Sequence, residues 1–354
     1  MRTKAVCALG IALIALALWY RPAEADDFAP FYRAAALAST HESVYARPTW
    51  SPRTTAEGRF LPFLRFPVYA AALIPLTALP YSVARCVWIA LLILAAVASL
   101  RLFPTPRDSL AIALAFSFPL ANALMVGQDI SLVLLIVLAA AAFFTAGREF
   151  LAGFVASLLC IKVTYLPAAG LVFLAKSRRG TAGLLTGAAL QLAVSFAVGG
   201  AHWPSEYLAI LRSPQLDLEP GRMLNLRAVV YSLSLSPAVY LVVAAALYVG
   251  FWFVCRRISV PDGLTLALAL GLIASPHSKP YDGVALIPLF VGVAGGKTWT
   301  GRAAWFALTP VLYLLVLMGN PPLQLAGSSL VVACAIAAGV QAVRALRLTS
   351  AQAH

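Results

Sequence analysis

Two adjacent carboxylates, Asp26 and Asp27, follow closely on an apolar run from Ala5 to Tyr20. Acidic residues after such a run can simply mark a translocated loop. Asp27, however, opens the segment Asp27-Phe28-Ala29-Pro30-Phe31-Tyr32-Arg33-Ala34, whose aromatic residues would seat it against a membrane. A partly desolvated carboxylate there could act as a general base. Few other charges interrupt the apolar sequence. Lys162 sits inside an apolar stretch, where a lysine is a functional candidate by default, although an ion pair with Asp129 could also account for its burial. Gln128 and Asp129 form a polar step before the apolar run from Ile130, and Asp129 could equally cap that helix. His277, Lys279 and Asp282 cluster late in the chain, where His277 could bind a ligand or merely cap its loop. Arg222 and Arg227 lie in the polar stretch 200–227, with Trp203 and Tyr207, which could stack on a ligand or anchor at an interface.

The elements that must carry these groups are apolar helices. Of 354 residues, 62% are hydrophobic and 11% charged, whereas a soluble domain is roughly half apolar and a quarter charged. Apolar runs recur from end to end, which predicts one all-α, polytopic membrane domain over residues 1–354. The net charge of +13 falls in short clusters between these runs, a pattern of membrane topology rather than of nucleic-acid binding. The five cysteines lack CxxC spacing and the four histidines are scattered, so neither a zinc site nor another metal or cofactor is expected. Gly292 to Thr298 has the wrong glycine spacing for a phosphate loop.

Charge asymmetry orders the helices. Arg2 and Lys4 before the first run favour a retained span with a cytoplasmic N-terminus, although Ala23-Glu24-Ala25 resembles a cleavage site. The first outer loop is expected over 21–82, with a juxtamembrane helix from Phe28 to Ser39 and a short apolar helix at 66–79 that does not cross. The spans then run from about 83 to 346, including single spans at 109–125, 228–254 and 302–318, giving about 12 crossings with the first. This places 14 basic residues against 3 acidic ones inside, a net of +11, and leaves 12 against 10, a net of +2, outside. The runs 150–161 and 165–175 are too short to cross alone at ~1.5 Å per residue. They are expected to form a broken hairpin around Lys162 and Pro167, tolerable where it lines a polar cavity. Asp27, Gln128, Asp129, Lys162, the loop 200–227 and His277 all fall on the outer side.

Five blocks stand in order along the chain: Asp27-Phe28-x-x-Phe31-Tyr32-x-Ala34, Phe66-Pro67 through Pro75-Leu76 to Leu79-Pro80 and Trp88, Gly127-Gln128-Asp129, Ala152-Gly153 through Lys162 to Pro167, and Ser275-Pro276 to Tyr281-Asp282. In this order and spacing they resemble glycosyltransferase family 87 of the GT-C superfamily. The chain departs from the family in carrying one proline at Phe66-Pro67 where two are usual. It also lacks the Ser-Trp-x-His-His form of the mannosyltransferase branch in the late block. The resemblance implies a membrane hexosyltransferase of the cell membrane, with its active site outside the cytoplasm. It would move a sugar, mannose foremost, from a polyprenyl-phosphate donor to a lipid or glycan acceptor, with inversion. Asp27 would then be the base, while Lys162, His277, Lys279, Arg222 and Arg227 are candidates to hold the donor phosphate. Gln128 and Asp129 would serve the sugar hydroxyls. From the residues alone, a multi-span transporter and a non-catalytic scaffold are the competing classes, although no internal repeat supports a transporter.

Overall fold

The computed structural model describes residues 26–46, 49–51, 59–103, 107–213, 219–294, 298–318 and 320–352, with Gly10 and Ala12. The expected first span, apart from those two residues, and Ala23–Ala25 lie outside this set. The described chain is almost wholly helical. In order it comprises α1 (Phe28–Ser39), α2 (Pro67–Leu73), α3 (Tyr81–Leu102), α4 (Arg107–Ala115), α5 (Phe118–Val126), α6 (Ile130–Thr145), α7 (Glu149–Ser157), α8 (Leu166–Lys176), α9 (Arg178–Gly199) and α10 (Trp203–Leu211). There follow α11 (Leu226–Ser232), α12 (Pro237–Cys255), α13 (Val260–Ile273), α14 (Ile287–Ala294), α15 (Trp299–Ala307), α16 (Pro310–Met318) and α17 (Pro321–Gln352). Short 3-10 segments occupy Ile74–Ala78, Leu158–Tyr165, Pro220–Arg222 and Pro280–Leu286. A small antiparallel ribbon that the sequence reading does not anticipate, β1 (Thr49–Ser51) with β2 (Arg59–Leu61), lies within the first loop.

By length and composition five helices can cross a membrane: Tyr81–Leu102, Glu149–Lys176, Arg178–Gly199, Pro237–Cys255 and Pro321–Ala345. Counting each of two bent pairs as a span gives up to seven. The bends differ from the straight spans expected at 109–125 and 302–318. They measure 55° between α4 and α5 and 52° between α15 and α16. At the first, Ser117 accepts a bond from Leu120 N and Pro119 starts the new helix, so a cap and a proline end one helix and begin the next. The same device moves the start of the expected span 228–254. Ser236 accepts from Ala238 N and Pro237 begins α12, separating it from the short α11.

Glu149–Lys176 is long enough to span, yet it does not run straight. Lys162 has non-helical dihedrals (φ −140, ψ 78) within the 3-10 segment. Ser177 Oγ donates to Glu149 Oε2 at 2.6 Å, so both ends of the segment lie at one level. A straight helix of 28 residues would separate them by about 42 Å. α9 runs parallel to α7: a Cβ added at Gly183 would meet the carbonyl of Phe150, and one at Gly187 would meet Ser157 Oγ. Gln191, one turn on, donates to Ser157 Oγ at 2.8 Å. Glycine at 183 lets the two backbones touch, the close packing that membrane helices use in place of a hydrophobic drive. α7 therefore descends, Leu158–Tyr165 turns, and α8 returns: a broken hairpin with Lys162 at its tip.

α1 has the bounds its pattern predicts. Phe28, Phe31, Ala34, Ala35 and Ala38 are buried at helical spacing while Arg33 faces outward. Phe28 stacks on Trp88 at 5.6 Å, Phe31 meets Tyr69 edge-on at 5.2 Å, and Tyr32 Oη donates to Leu79 O at 2.8 Å. α2 and its 3-10 continuation make an apolar helix, Pro67–Ala78, too short to cross, with its start against Gly199. α10 packs on the same loop, with Tyr207 on Tyr45 and Trp203 on Phe66. Both polar loops thus share one end of the bundle. At the other end, Arg101 closes α3, Arg148 precedes α7, Lys176 and Arg178 flank the α8–α9 junction, and Arg256 follows α12, where Lys176 Nζ donates to Arg256 O at 3.1 Å.

Candidate active site

At the loop end, the chain draws its few charges into two neighbouring hydrogen-bonded clusters, coupled by the field of Lys162 on Asp129. Asp27 is fixed from the backbone outward: its N–H donates to Val126 O at 2.7 Å, which docks the start of α1 onto the α5–α6 turn. Gly127 makes that turn in the left-handed region (φ 77), and a Cβ there would lie 2.9 Å from Phe28 Cβ, so glycine meets both the turn and the close approach. Trp88 Nε1 donates to Gly127 O at 2.8 Å. The turn presents Gln128, whose Nε2 donates to Asp27 Oδ2 at 2.9 Å.

The next link is Arg65, in the extended segment before α2. It holds Asp129 with two bonds, Nε to Oδ2 and Nη2 to Oδ1, both at 3.1 Å, and its Nη2 also reaches Gln128 Oε1 at 3.4 Å. Asp129 is fully buried. Burial would push its carboxyl up, but Arg65 and then Lys162 outweigh that and hold it below the usual range. It occupies the N-cap position of α6 without making a side-chain cap bond.

Lys162 pairs with Asp282 rather than with Asp129, and its Nζ lies 5.1 Å from the Tyr281 ring centroid. Asp282 Oδ2 accepts from Lys279 N at 2.9 Å, which shapes the turn into Pro280–Leu286. Lys279 Nζ and Arg222 Nη1 converge on one carboxylate, Glu219, at 2.8 and 2.9 Å. The 219–227 segment is laid against 275–278: Asn225 Nδ2 donates to Ser275 O at 3.0 Å, and Arg227 Nη1 to Pro276 O at 2.6 Å. His277 lies among these groups, with a buried Nδ1 that has no partner among the described residues. Burial, then the fields of Lys279, Lys162, Arg65 and Arg227, push its imidazole down from 6.5 to about 3, so it is neutral at physiological pH.

All eight residues singled out from the sequence therefore meet at one end of the bundle: Asp27, Gln128, Asp129, Lys162, His277, Lys279, Arg222 and Arg227. Arg65 and Glu219 escaped that reading. Arg65 left a signal, being the only charged residue between Arg59 and Arg85 in an apolar stretch. Glu219 left only the local pairing with Arg222 three residues on, and nothing that pointed to Lys279, 60 residues away. No three His, Cys, Asp or Glu side chains converge as a metal site among the described residues. A carboxylate, Asp27, set by Gln128 and Arg65, with four further cations (Lys162, Lys279, Arg222, Arg227) in the neighbouring cluster, suits a reaction that removes a proton from a nucleophile and places negative charge on a leaving group.

A model of glycosyltransferase family 87 matches residues 63–276, more than half of the 354-residue chain. The chain belongs to glycosyltransferase family 87. It is a glycosyltransferase built of apolar helices, acting on a sugar donor and an acceptor, and the carrier and scaffold alternatives fall away. The match takes in Arg65, Gln128, Asp129, Lys162, Arg222 and Arg227, while Asp27, His277 and Lys279 lie beyond its two ends. Comparison with curated proteins and with solved structures found no match.

Proposed function

We propose that this glycosyltransferase moves a hexose, mannose foremost, from a polyprenyl-phosphate donor to a hydroxyl of a lipid or glycan acceptor, with inversion. The observation that carries the reading is the pairing, at one end of an otherwise apolar bundle, of the Asp27–Gln128–Arg65–Asp129 cluster with the cations around Lys162 and Lys279, whose field reaches Asp129. Asp27 takes the proton as the acceptor oxygen bonds to the anomeric carbon. The bond from that carbon to the phosphate oxygen breaks on the opposite face, and the polyprenyl phosphate leaves with the electron pair. Lys162, at the hairpin tip, and Lys279, Arg222 and Arg227 meet that growing charge, which preorganised donors stabilise most effectively in a dry site. Neutral His277 offers a hydrogen bond to the donor, and Gln128 and Asp129 serve the Asp27 end. The lipid tail would lie against the apolar helices.

The basic end of the bundle faces the cytoplasm in this proposal, which puts the site at the outer face of the cell membrane. About 12 passes result when the long spans, the two bent pairs, both halves of the hairpin, the shorter apolar helices other than Pro67–Ala78 and the first run are counted together. The test is a transfer assay on the protein in nanodiscs, with a panel of polyprenyl-phosphate sugars and membrane lipid extract as acceptor. At least one donor should turn over. Asp27→Asn should lose about 10³-fold, the range of general-base removal, while Asp26→Asn, which gives up the charge that Arg85 and Tyr81 hold and keeps an acceptor for Phe28 N, stays within about tenfold. Turnover with nucleotide sugars alone would overturn the donor assignment.

A further inference from the structure

The arrangement around Gln128 contains more than a contact to Asp27. A carboxylate accepts hydrogen bonds and a guanidinium only donates them. Gln128 stands between one of each: Nε2 faces Asp27 Oδ2 at 2.9 Å, and Oε1 faces Arg65 Nη2 at 3.4 Å. Only one orientation of the amide satisfies both neighbours, so the side chain cannot flip without losing both bonds. Arg65 is itself held by its two bonds to the fully buried Asp129, by Nη1 donating to Leu64 O at 3.1 Å, and by the Phe31 ring, whose centroid is 5.3 Å from Cζ. The 127–129 turn that carries Gln128 is bonded to Asp27 N through Val126 O and cannot drift independently.

We infer that Arg65 and Gln128 are positioning residues for Asp27, forming a one-way hydrogen-bond relay that holds its Oδ2 and favours its ionised state. The inference rests on the reading of Asp27 as the base. Gln128 can offer Asp27 only an N–H, and a donor to a carboxylate favours the charged form. The guanidinium behind the amide polarises it in the same sense, as linked hydrogen bonds reinforce one another in a low dielectric. The relay therefore supplies a carboxylate that is oriented and unprotonated before the acceptor arrives.

Among the described residues, further charged and titratable groups near Asp27 include Asp26 beside it, Tyr281 from the Pro280–Leu286 segment, which is close enough to interact electrostatically with Asp27, and Asp129 behind Arg65. Tyr281 and Arg65 favour no protonation of Asp27 at neutral pH, while Asp26 and Asp129 are already bonded to Arg85 and Arg65.

The experiment is the pH profile of kcat/KM for the whole protein in nanodiscs, measured with the donor identified by the transfer panel. Gln128→Glu is nearly isosteric but faces Asp27 with a second acceptor. Arg65→Lys keeps a charge beside Asp129 but lacks the fork that reaches Gln128. In both, kcat should fall at least about tenfold at neutral pH with donor KM little changed. The acid limb of the profile should move up by about one unit or more in Gln128→Glu, and by less in Arg65→Lys. A merely structural role would lower the rate at every pH and leave the limb in place, so an unmoved limb in both variants overturns the relay. Asp27→Asn separates the two readings. If that variant stays active, Asp27 is not the base. If it is inactive while both limbs stay put, the base stands and the relay falls.

Discussion

Lys162 offers the clearest way to divide what a buried charge does for the fold from what it does for the reaction. Its side chain is 9% exposed and that of its partner Asp282 2% exposed. Replacing Lys162 by Met leaves Asp282 buried without its cation, a change that typically costs about 3–5 kcal/mol. Asp282 has a second task, since its Oδ2 accepts from Lys279 N, so the compensating change is Asp282→Asn, which removes the charge and keeps that bond. The double variant Lys162→Met/Asp282→Asn should recover about half or more of the loss, because no uncompensated charge remains. Thermal unfolding in detergent, followed for wild type, both single variants and the double variant, gives the cycle. Transfer activity should behave differently. If Lys162 meets the charge on the leaving phosphate, the double variant folds but stays down by about 10²–10³-fold, the usual loss on removing one such donor. Activity within about threefold of wild type in a folded double variant would refute the assignment and leave Lys162 a structural cation.

Two further outcomes follow from the geometry. His277 is pushed down to about 3 in the folded chain against 6.5 when exposed, so between these values the unfolded chain binds the extra proton. Its contribution is therefore fully present above about pH 6.5 and is lost as the pH falls toward 3. His277→Gln should flatten the decline of the unfolding midpoint over pH 6.5 to 4, and an equal slope in the variant would remove His277 as its source. The hairpin predicts that cysteines placed at positions 149 and 177 react with a short bifunctional thiol reagent, as their side chains are in hydrogen-bond contact. A single straight crossing would hold them about 42 Å apart and give no cross-link.

What was readable in the chain beforehand was local. The amphipathic pattern from Phe28 to Ser39 fixes α1 because each buried residue is a turn from the next, and the polar interruption at Lys162 marks the tip of the hairpin. The same local logic missed the bends at Ser117 and Thr309 and set the start of α12 too early, because apolar composition continues across a capped break. Which charges face each other was not readable at all. Lys162 and Asp282 are 120 residues apart, Arg65 and Asp129 64, and Lys279 and Glu219 60. No period or spacing connects such positions; the physical constraint that does is the expense of leaving any of them unpaired in an apolar bundle. That constraint says each buried charge has a partner without saying which one, and it explains why Asp129 stands in the sequence as the alternative partner of Lys162 while the structure gives Asp282. Arg65 shows the converse. A lone arginine among Phe63, Leu64, Phe66 and Pro67 must find a buried carboxylate, and Asp129, equally alone before Ile130, needs a cation. Matching isolated opposite charges across long apolar separations joins these two from the sequence alone, whereas the amide of Gln128 that links Arg65 to Asp27 carries no charge to match.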